Sequence, residues 1–274
     1  MSTPFEVLRQ LPGAGSVTLS GEEQGEGLAL VLLHGLSATR RNVVQGSRGL
    51  VRRGYRQISY DARGHGRSSP APSYSYAELV DDLDAVPRDR GLERAVLIGS
   101  SMGAATAMAF ALEHPERVPA LVQITPSEHG VGADDARWDR LADALEKGGI
   151  DAFVEANEPD ALPERWRDSV RLAVRQRMER HDHLDAVAAA LREVPRSSPW
   201  EGMEALEGLE VPALVVGSRD GADPLHPLAV AEEYARRLPC AELVVEDEGQ
   251  APLAWQGGRL SEAIADFLRR RVPP

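Results

Sequence analysis

With 274 residues, 42% of them hydrophobic, the chain is long enough for one large α/β domain carrying an insertion, rather than two independent domains. A formal net charge of -12 excludes a polyanion such as nucleic acid, which needs a basic surface that releases counterions, and points to a small neutral or weakly polar ligand. The single cysteine, Cys240, excludes an intramolecular disulfide; the first six residues lack the basic and apolar regions of a secretory signal, and the longest apolar run, 28–33, is too short for a bilayer, so a cytoplasmic protein with no membrane partner is expected.

Taken in chain order, residues 28–33 form the first strand-like run, short and apolar throughout as buried parallel strands are. A helix is expected over 40–53, a strand over 55–60, a helix over 76–89, a strand over 95–98, a helix over 102–114 and a strand over 120–124. From about 127 to 210 this rhythm stops: helical runs at 138–145, 165–180 and 184–191 are punctuated by Gly148-Gly149 and Pro195, with no strand between them. The alternation then resumes with strands at 213–216 and 242–245 and helices at 228–238 and 259–271. Such alternation implies an α/β fold, a mostly parallel central sheet with helices on both faces, and the helical insertion falls where ligands bind, over the carboxyl ends of the strands.

Three strings at strand ends carry chemistry. Gly99-Ser100-Ser101-Met102-Gly103 follows a strand and opens an alanine-rich helix; glycines on both sides of Ser101 suit a nucleophile held in strained backbone, and the helix N-terminus favours developing negative charge. His34-Gly35-Leu36 ends an earlier strand, where the Leu36 N–H joins that of Met102 as a candidate oxyanion hole. Asp61-Ala62-Arg63-Gly64-His65-Gly66-Arg67-Ser68 reads as a loop knitted by Asp and Arg hydrogen bonds rather than as catalytic.

In this order and spacing the three strings resemble the α/β-hydrolase family over nearly the whole chain. The resemblance implies a nucleophilic Ser101, a core of residues 1–126 and 206–274, a helical cap over 127–205, and a catalytic acid after the strand ending at Gly217. Asp223, in the Pro-flanked stretch Asp223-Pro224-Leu225-His226-Pro227, is preferred for that acid, with Asp220 the alternative. The departure lies after the last strand: where the family has Gly-His, this chain has Gly249-Gln250, and an amide cannot accept and return a proton near neutral pH.

A substitute base is therefore sought among the seven histidines. His129 follows the strand beside the elbow strand and His226 follows the acid strand; the two stand level. His34 is expected to brace the oxyanion turn and His114 to sit at a helix C-terminus. His181 and His183 flank Asp182 without sharing a helical face, so neither a metal nor a cofactor is expected. The leading function is cleavage of small carboxylic esters or thioesters through a Ser101 acyl-enzyme. A ligand-binding pseudo-enzyme that has lost turnover, and a lyase or isomerase on the same scaffold, are the alternatives.

Overall fold

The computed structural model describes residues 2–13, 15–127, 135–158, 161–221, 223, 225–250 and 255–272. The described residues form an eight-stranded sheet of order β1-β2-β4-β3-β5-β6-β7-β8. The strands are β1 (Thr3–Leu11), β2 (Gly15–Gln24), β3 (Ala29–Leu33), β4 (Arg56–Tyr60), β5 (Val96–Ser100), β6 (Leu121–Ile124), β7 (Ala213–Gly217) and β8 (Ala241–Val245). From β4 to β8 every neighbouring pair is parallel, while β1 and β2 add an antiparallel hairpin at the β4 edge.

The continuous apolar runs follow from burial on both faces. In β3, Val31 and Leu33 point into a core shared with Leu83, Phe110 and Tyr234, while Leu30 and Leu32 point into a second core with Leu50, Ile264 and Phe267. The helical residues named for the first core come from α2 (Tyr76–Asp89), α3 (Met102–Glu113) and α7 (Leu228–Arg237); those named for the second come from the single turn α1 (Gly49–Arg52) and α8 (Gly257–Arg271). A strand buried on both faces has no polar side to alternate with, hence the unbroken runs.

Two expectations are corrected. The hairpin β1–β2 lies outside the predicted set, because its strands are half-exposed and polar: only Phe5 and Val7 of β1 are buried. The helix expected over 40–53 shrinks to α1. Residues 39–48 instead run through successive turns, with Gln45 and Gly46 at φ 48° and 70°, a backbone that no right-handed helix accommodates.

Between β6 and β7 the described chain is helical: α4 (Asp135–Ala156), kinked at Gly149 (φ 65°), α5 (Glu164–Met178) and α6 (Leu184–Glu193). These helices share an apolar cluster of their own, including Leu141, Phe153, Met178, Val187 and Leu191, and Leu36 of the turn after β3 packs against it. No helix among the described residues is long and apolar enough to cross a membrane.

Candidate active site

Ser101 stands between β5 and α3 at φ 51°, ψ -118°, a conformation that costs a non-glycine residue about 1–3 kcal/mol. The backbone around it is held on both sides: its N–H donates to Ile124 O at 3.2 Å, and its carbonyl accepts the Ala105 N–H at 3.0 Å. The flanking glycines are required by close approach, since a Cβ on Gly99 would collide with the Gly103 carbonyl, and one on Gly103 with the carbonyl of Leu33. α3 follows with small buried residues, Ala104, Ala105 and Ala107, that let it sit close to the sheet.

The turn after β3 lies directly against this serine: a Cβ on Gly35 would stand 3.3 Å from Ser101 Cβ and 3.9 Å from its Oγ. The turn is closed by Ala38 N–H donating to Gly35 O at 3.0 Å. Neither the Leu36 nor the Met102 N–H has a protein acceptor among the described residues, which leaves two donors free beside the serine.

From β7, two strands away from β5, the chain delivers the remaining groups. His226 Nε2 lies 2.8 Å from Ser101 Oγ, and His226 Nδ1 lies 2.7 Å from Asp223 Oδ2. The carboxylate can only accept from Nδ1–H, so Nε2 is left unprotonated to accept the serine hydroxyl. Partial burial works against the charge on Asp223, but the hydrogen bond and charge of His226, the Leu225 N–H and the charge of Arg177 outweigh it and hold the carboxyl below its ordinary pKa. Asp220 contributes its backbone carbonyl to the Asp223 N–H, at 3.1 Å; the carboxylate bonded to His226 is that of Asp223.

Gln250 is not part of this cluster. It is exposed beyond β8, where its Nε2 donates to Asp247 Oδ2 at 3.1 Å and its Oε1 accepts from Arg259 in the first turn of α8. His129, level with His226 in the sequence, lies outside the described residues.

Two residues that the sequence does not single out hold the loop between β7 and α7. Glu246, 1% exposed at the end of β8, accepts from Ser218 Oγ at 2.9 Å, Arg219 N–H at 2.6 Å and Trp255 Nε1 at 3.1 Å. Burial opposes its charge, but these donors outweigh it and keep its pKa below the usual carboxylate range. Trp255 Nε1 also reaches Gly217 O, at 2.9 Å. The signal in the sequence was a carboxylate placed immediately after an apolar strand, where its burial demands donors.

The 61–68 loop is knitted by its charged residues. The Arg63 guanidinium, fully buried, pairs bidentately with Asp82 at 2.7 and 2.8 Å and reaches Ser73 O at 3.0 Å. Asp61 accepts the backbone N–H groups of Arg40 and Arg67 at 2.8 and 3.1 Å. His34 and His65 are buried beside it, with ring centroids 5.2 Å apart, and His181 follows at 5.6 Å from His65. Burial holds all three neutral, pushing His34 down to about 4 and His65 and His181 each down to about 3.

Among the described residues no cluster of His, Cys, Asp and Glu could hold a metal ion. A sequence model of the alpha/beta hydrolase fold matches residues 29–175. The 2-hydroxy-6-oxononadienedioate/2-hydroxy-6-oxononatrienedioate hydrolase of Burkholderia vietnamiensis is 30% identical over 260 residues, 88% of this chain and 87% of the relative. A thermophilic esterase from Thermogutta terrifontis, solved with malate bound, superposes with a TM-score of 0.79 at 26% identity, covering 98% of each chain. An enol-lactonase from Burkholderia xenovorans superposes with a TM-score of 0.75 at 22% identity, covering 96% of this chain and 99% of the other, and at that identity speaks for the fold alone.

Proposed function

The chain belongs to the alpha/beta hydrolase fold family and is a hydrolase of that fold, and from this premise we propose that it cleaves carboxylic esters or thioesters of small substrates through an acyl-enzyme on Ser101. The observation that carries the proposal is the continuous hydrogen-bond chain from Asp223 through His226 to Ser101, at 2.7 and 2.8 Å. In this reading the base comes from the loop after β7, and Gln250 is a bystander at the position where the family resemblance implies a histidine. The 127–205 segment serves as a cap over a core of 1–126 and 206–274.

The steps follow from the geometry. Ser101 Oγ attacks the substrate carbonyl carbon while its proton passes to His226 Nε2, and Asp223 stabilises the imidazolium through Nδ1–H. The carbonyl oxygen takes the negative charge and is met by the Leu36 and Met102 N–H groups, for which the described residues offer no competing acceptor. On collapse the carbonyl-to-oxygen or carbonyl-to-sulfur bond breaks, and His226 returns the proton to the departing alkoxide or thiolate. Water then attacks the acyl-enzyme, giving its proton to His226, and the second collapse releases the acid and restores Ser101.

One relative favours a second reading at the same residues. The Burkholderia vietnamiensis protein carries the name of a hydrolase of 2-hydroxy-6-oxo dienedioates, so cleavage of a carbon–carbon bond beside a ketone is the variant to set against ester cleavage. In both, His226 and Ser101 keep their roles toward a carbonyl carbon.

Hydrolysis of 4-nitrophenyl acetate and butyrate by the parent chain, Ser101→Ala, His226→Ala, Asp223→Asn and Gln250→His tests the assignment. Loss of a triad nucleophile or base lowers kcat by about 10⁶ in a serine protease, so Ser101→Ala and His226→Ala are expected to fall to background. Asp223, whose side chain is 40% exposed, leaves room for water to help the imidazolium, so Asp223→Asn is expected to fall by less than the roughly 10⁴-fold seen for a fully buried triad aspartate. Gln250→His is expected to change kcat by less than about 3-fold, because its side chain faces α8 rather than the serine. Retention of activity in His226→Ala would move the base to another group such as His129, and a gain of more than about 10-fold in Gln250→His would return it to the loop after β8; either result would overturn the assignment.

A further inference from the structure

His181 lies at the junction of α5 and α6, far in sequence from the elbow and from the turn after β3, yet its ring is wedged between two core loops. Its Nδ1 accepts the Gly66 N–H at 2.9 Å, which leaves the proton on Nε2, and that proton is donated to Ser37 O at 3.2 Å. The next residue returns the contact, Asp182 N–H donating to Gly66 O at 2.9 Å. The junction therefore clamps Gly66 from both sides and holds Ser37 from above.

Ser37 is the residue that most needs holding. It sits at φ 57°, disfavoured for any residue with a Cβ, in the turn that carries the Leu36 N–H. Both of its main-chain polar groups are taken by histidines: the N–H donates to His65 Nε2 at 3.3 Å and the carbonyl accepts from His181 Nε2. Two residues earlier, His34 Nδ1–H donates to Gly35 O at 2.8 Å. Because a peptide unit is planar, fixing the Gly35 carbonyl also fixes the Leu36 N–H that points the opposite way. Two of the three rings belong to the core strings; the third comes from the helical segment. Leu36 reinforces the link, with its side chain packed against the apolar cluster of that segment.

We propose that His181 is a positioning residue for the oxyanion donor at Leu36: by holding Ser37 O it makes seating of the α4–α6 segment and assembly of the oxyanion hole one event. The inference rests on the serine-hydrolase reading above. It assigns His181 no contact with substrate, and it separates the two hydrogen bonds of the ring by function. The bond to Gly66 anchors the segment, whereas the bond to Ser37 shapes the donor.

The amide side chains divide these bonds between them. His181→Asn places an acceptor where Nδ1 stands and keeps the Gly66 bond, but is too short to donate to Ser37 O. His181→Gln reaches Ser37 O with an N–H donor. A misplacement of about 1 Å costs around 10²-fold in rate, and loss of one oxyanion donor about 10²–10³-fold, so His181→Asn is expected to lose about 10- to 100-fold in kcat on 4-nitrophenyl acetate. KM should move by less than about 3-fold, and the Ki of phenylboronic acid, whose adduct with Ser101 places an oxygen in the oxyanion hole, should rise in step with the loss in kcat. His181→Gln is expected to stay within about 5-fold of the parent in both.

A ranking of Gln above Asn in kcat with KM steady supports the proposal. Three results would overturn it: parental kcat in His181→Asn, changes confined to KM, or loss of melting temperature in either variant with kcat and boronate affinity intact. If Ser101→Ala matches the parent chain in turnover and in boronate binding, the serine-hydrolase reading has failed before any change at position 181, and this inference fails with it.

Discussion

The three buried histidines make acid sensitivity of the fold a quantity that can be worked out. Each ring in the His34, His65 and His181 stack uses one nitrogen as donor and the other as acceptor of a backbone N–H, from Ala62, Ser37 and Gly66 respectively. A protonated ring would present two donors and strand that N–H. Burial holds the native pKa values down at about 4, 3 and 3, against roughly 6.5 in an unfolded chain. Protons thus bind the unfolded state first. The contribution of the three rings to stability is present in full above about pH 6.5 and is lost as pH falls towards the native values, at about 1.4 kcal/mol per ring per pH unit.

Between pH 7 and pH 5 each ring removes about 2 kcal/mol, so the stack together removes on the order of 6 kcal/mol, a large part of the roughly 5–15 kcal/mol that holds a domain folded. Denaturant unfolding of the parent and of His181→Gln at pH 7, 6 and 5 isolates the effect, because carboxylates elsewhere titrate alike in both. The variant has one ring fewer to protonate on unfolding, and its loss from pH 7 to pH 5 should be smaller than the parent's by about 2 kcal/mol. Identical pH dependence in the two proteins would mean that His181 is protonated in the native state, and the reasoning from its hydrogen bonds would be refuted.

Two further perturbations probe the scaffold. Arg63→Met leaves Asp82, 1% exposed, with Arg9 as its remaining guanidinium partner at 2.9 Å, and should lower unfolding free energy by about 3–5 kcal/mol; a loss below about 1 kcal/mol in denaturant unfolding would mean the pair is not buried as described. Glu246→Ala releases Ser218 and the Arg219 N–H, and with them the start of the loop that carries Asp223 and His226. Since about 1 Å of misplacement costs around 10²-fold, kcat on 4-nitrophenyl acetate should fall at least about 10-fold, and an unchanged kcat would show that α7 alone positions the loop.

The parts of the site legible in the sequence are those where one residue's identity encodes a local demand. Gly99 and Gly103 are needed because backbone from β3 and α3 passes where a Cβ would be, and that demand is written into the pentapeptide itself. The 61–68 loop is legible for the same reason, its Asp and Arg residues finding backbone and carboxylate partners close by. By contrast, β1 and β2 are hard to read as strands because their apolar alternation is short, Phe5 and Val7 in one and Val17 and Leu19 in the other, among mostly polar residues. The helix expected over 40–53 does not form because Gln45 and Gly46 take a positive φ, and near its expected start the Arg40 N–H is bonded to Asp61. The role of His181 is not legible from its place beside Asp182, since nothing in its own segment reveals that Ser37, 144 residues earlier, requires a donor.

His226 and Gln250 show where sequence order stops determining geometry. In the usual arrangement acid and base arrive on different loops, so two separate anchors set the distance between them. Here Asp223 and His226 lie three residues apart in one turn, closed by the His226 N–H on the Asp223 carbonyl at 3.3 Å. Their mutual orientation is therefore a local property of that turn and survives movement of the loop as a whole. The contact to Ser101, 125 residues away, joins separate parts of the fold. That contact depends on how Glu246 and Trp255 seat the end of β7 and on how α7 begins at Leu228. Under the proposed function a histidine after β8 has no proton left to carry, and the Gln250 side chain ties its loop to α8 instead.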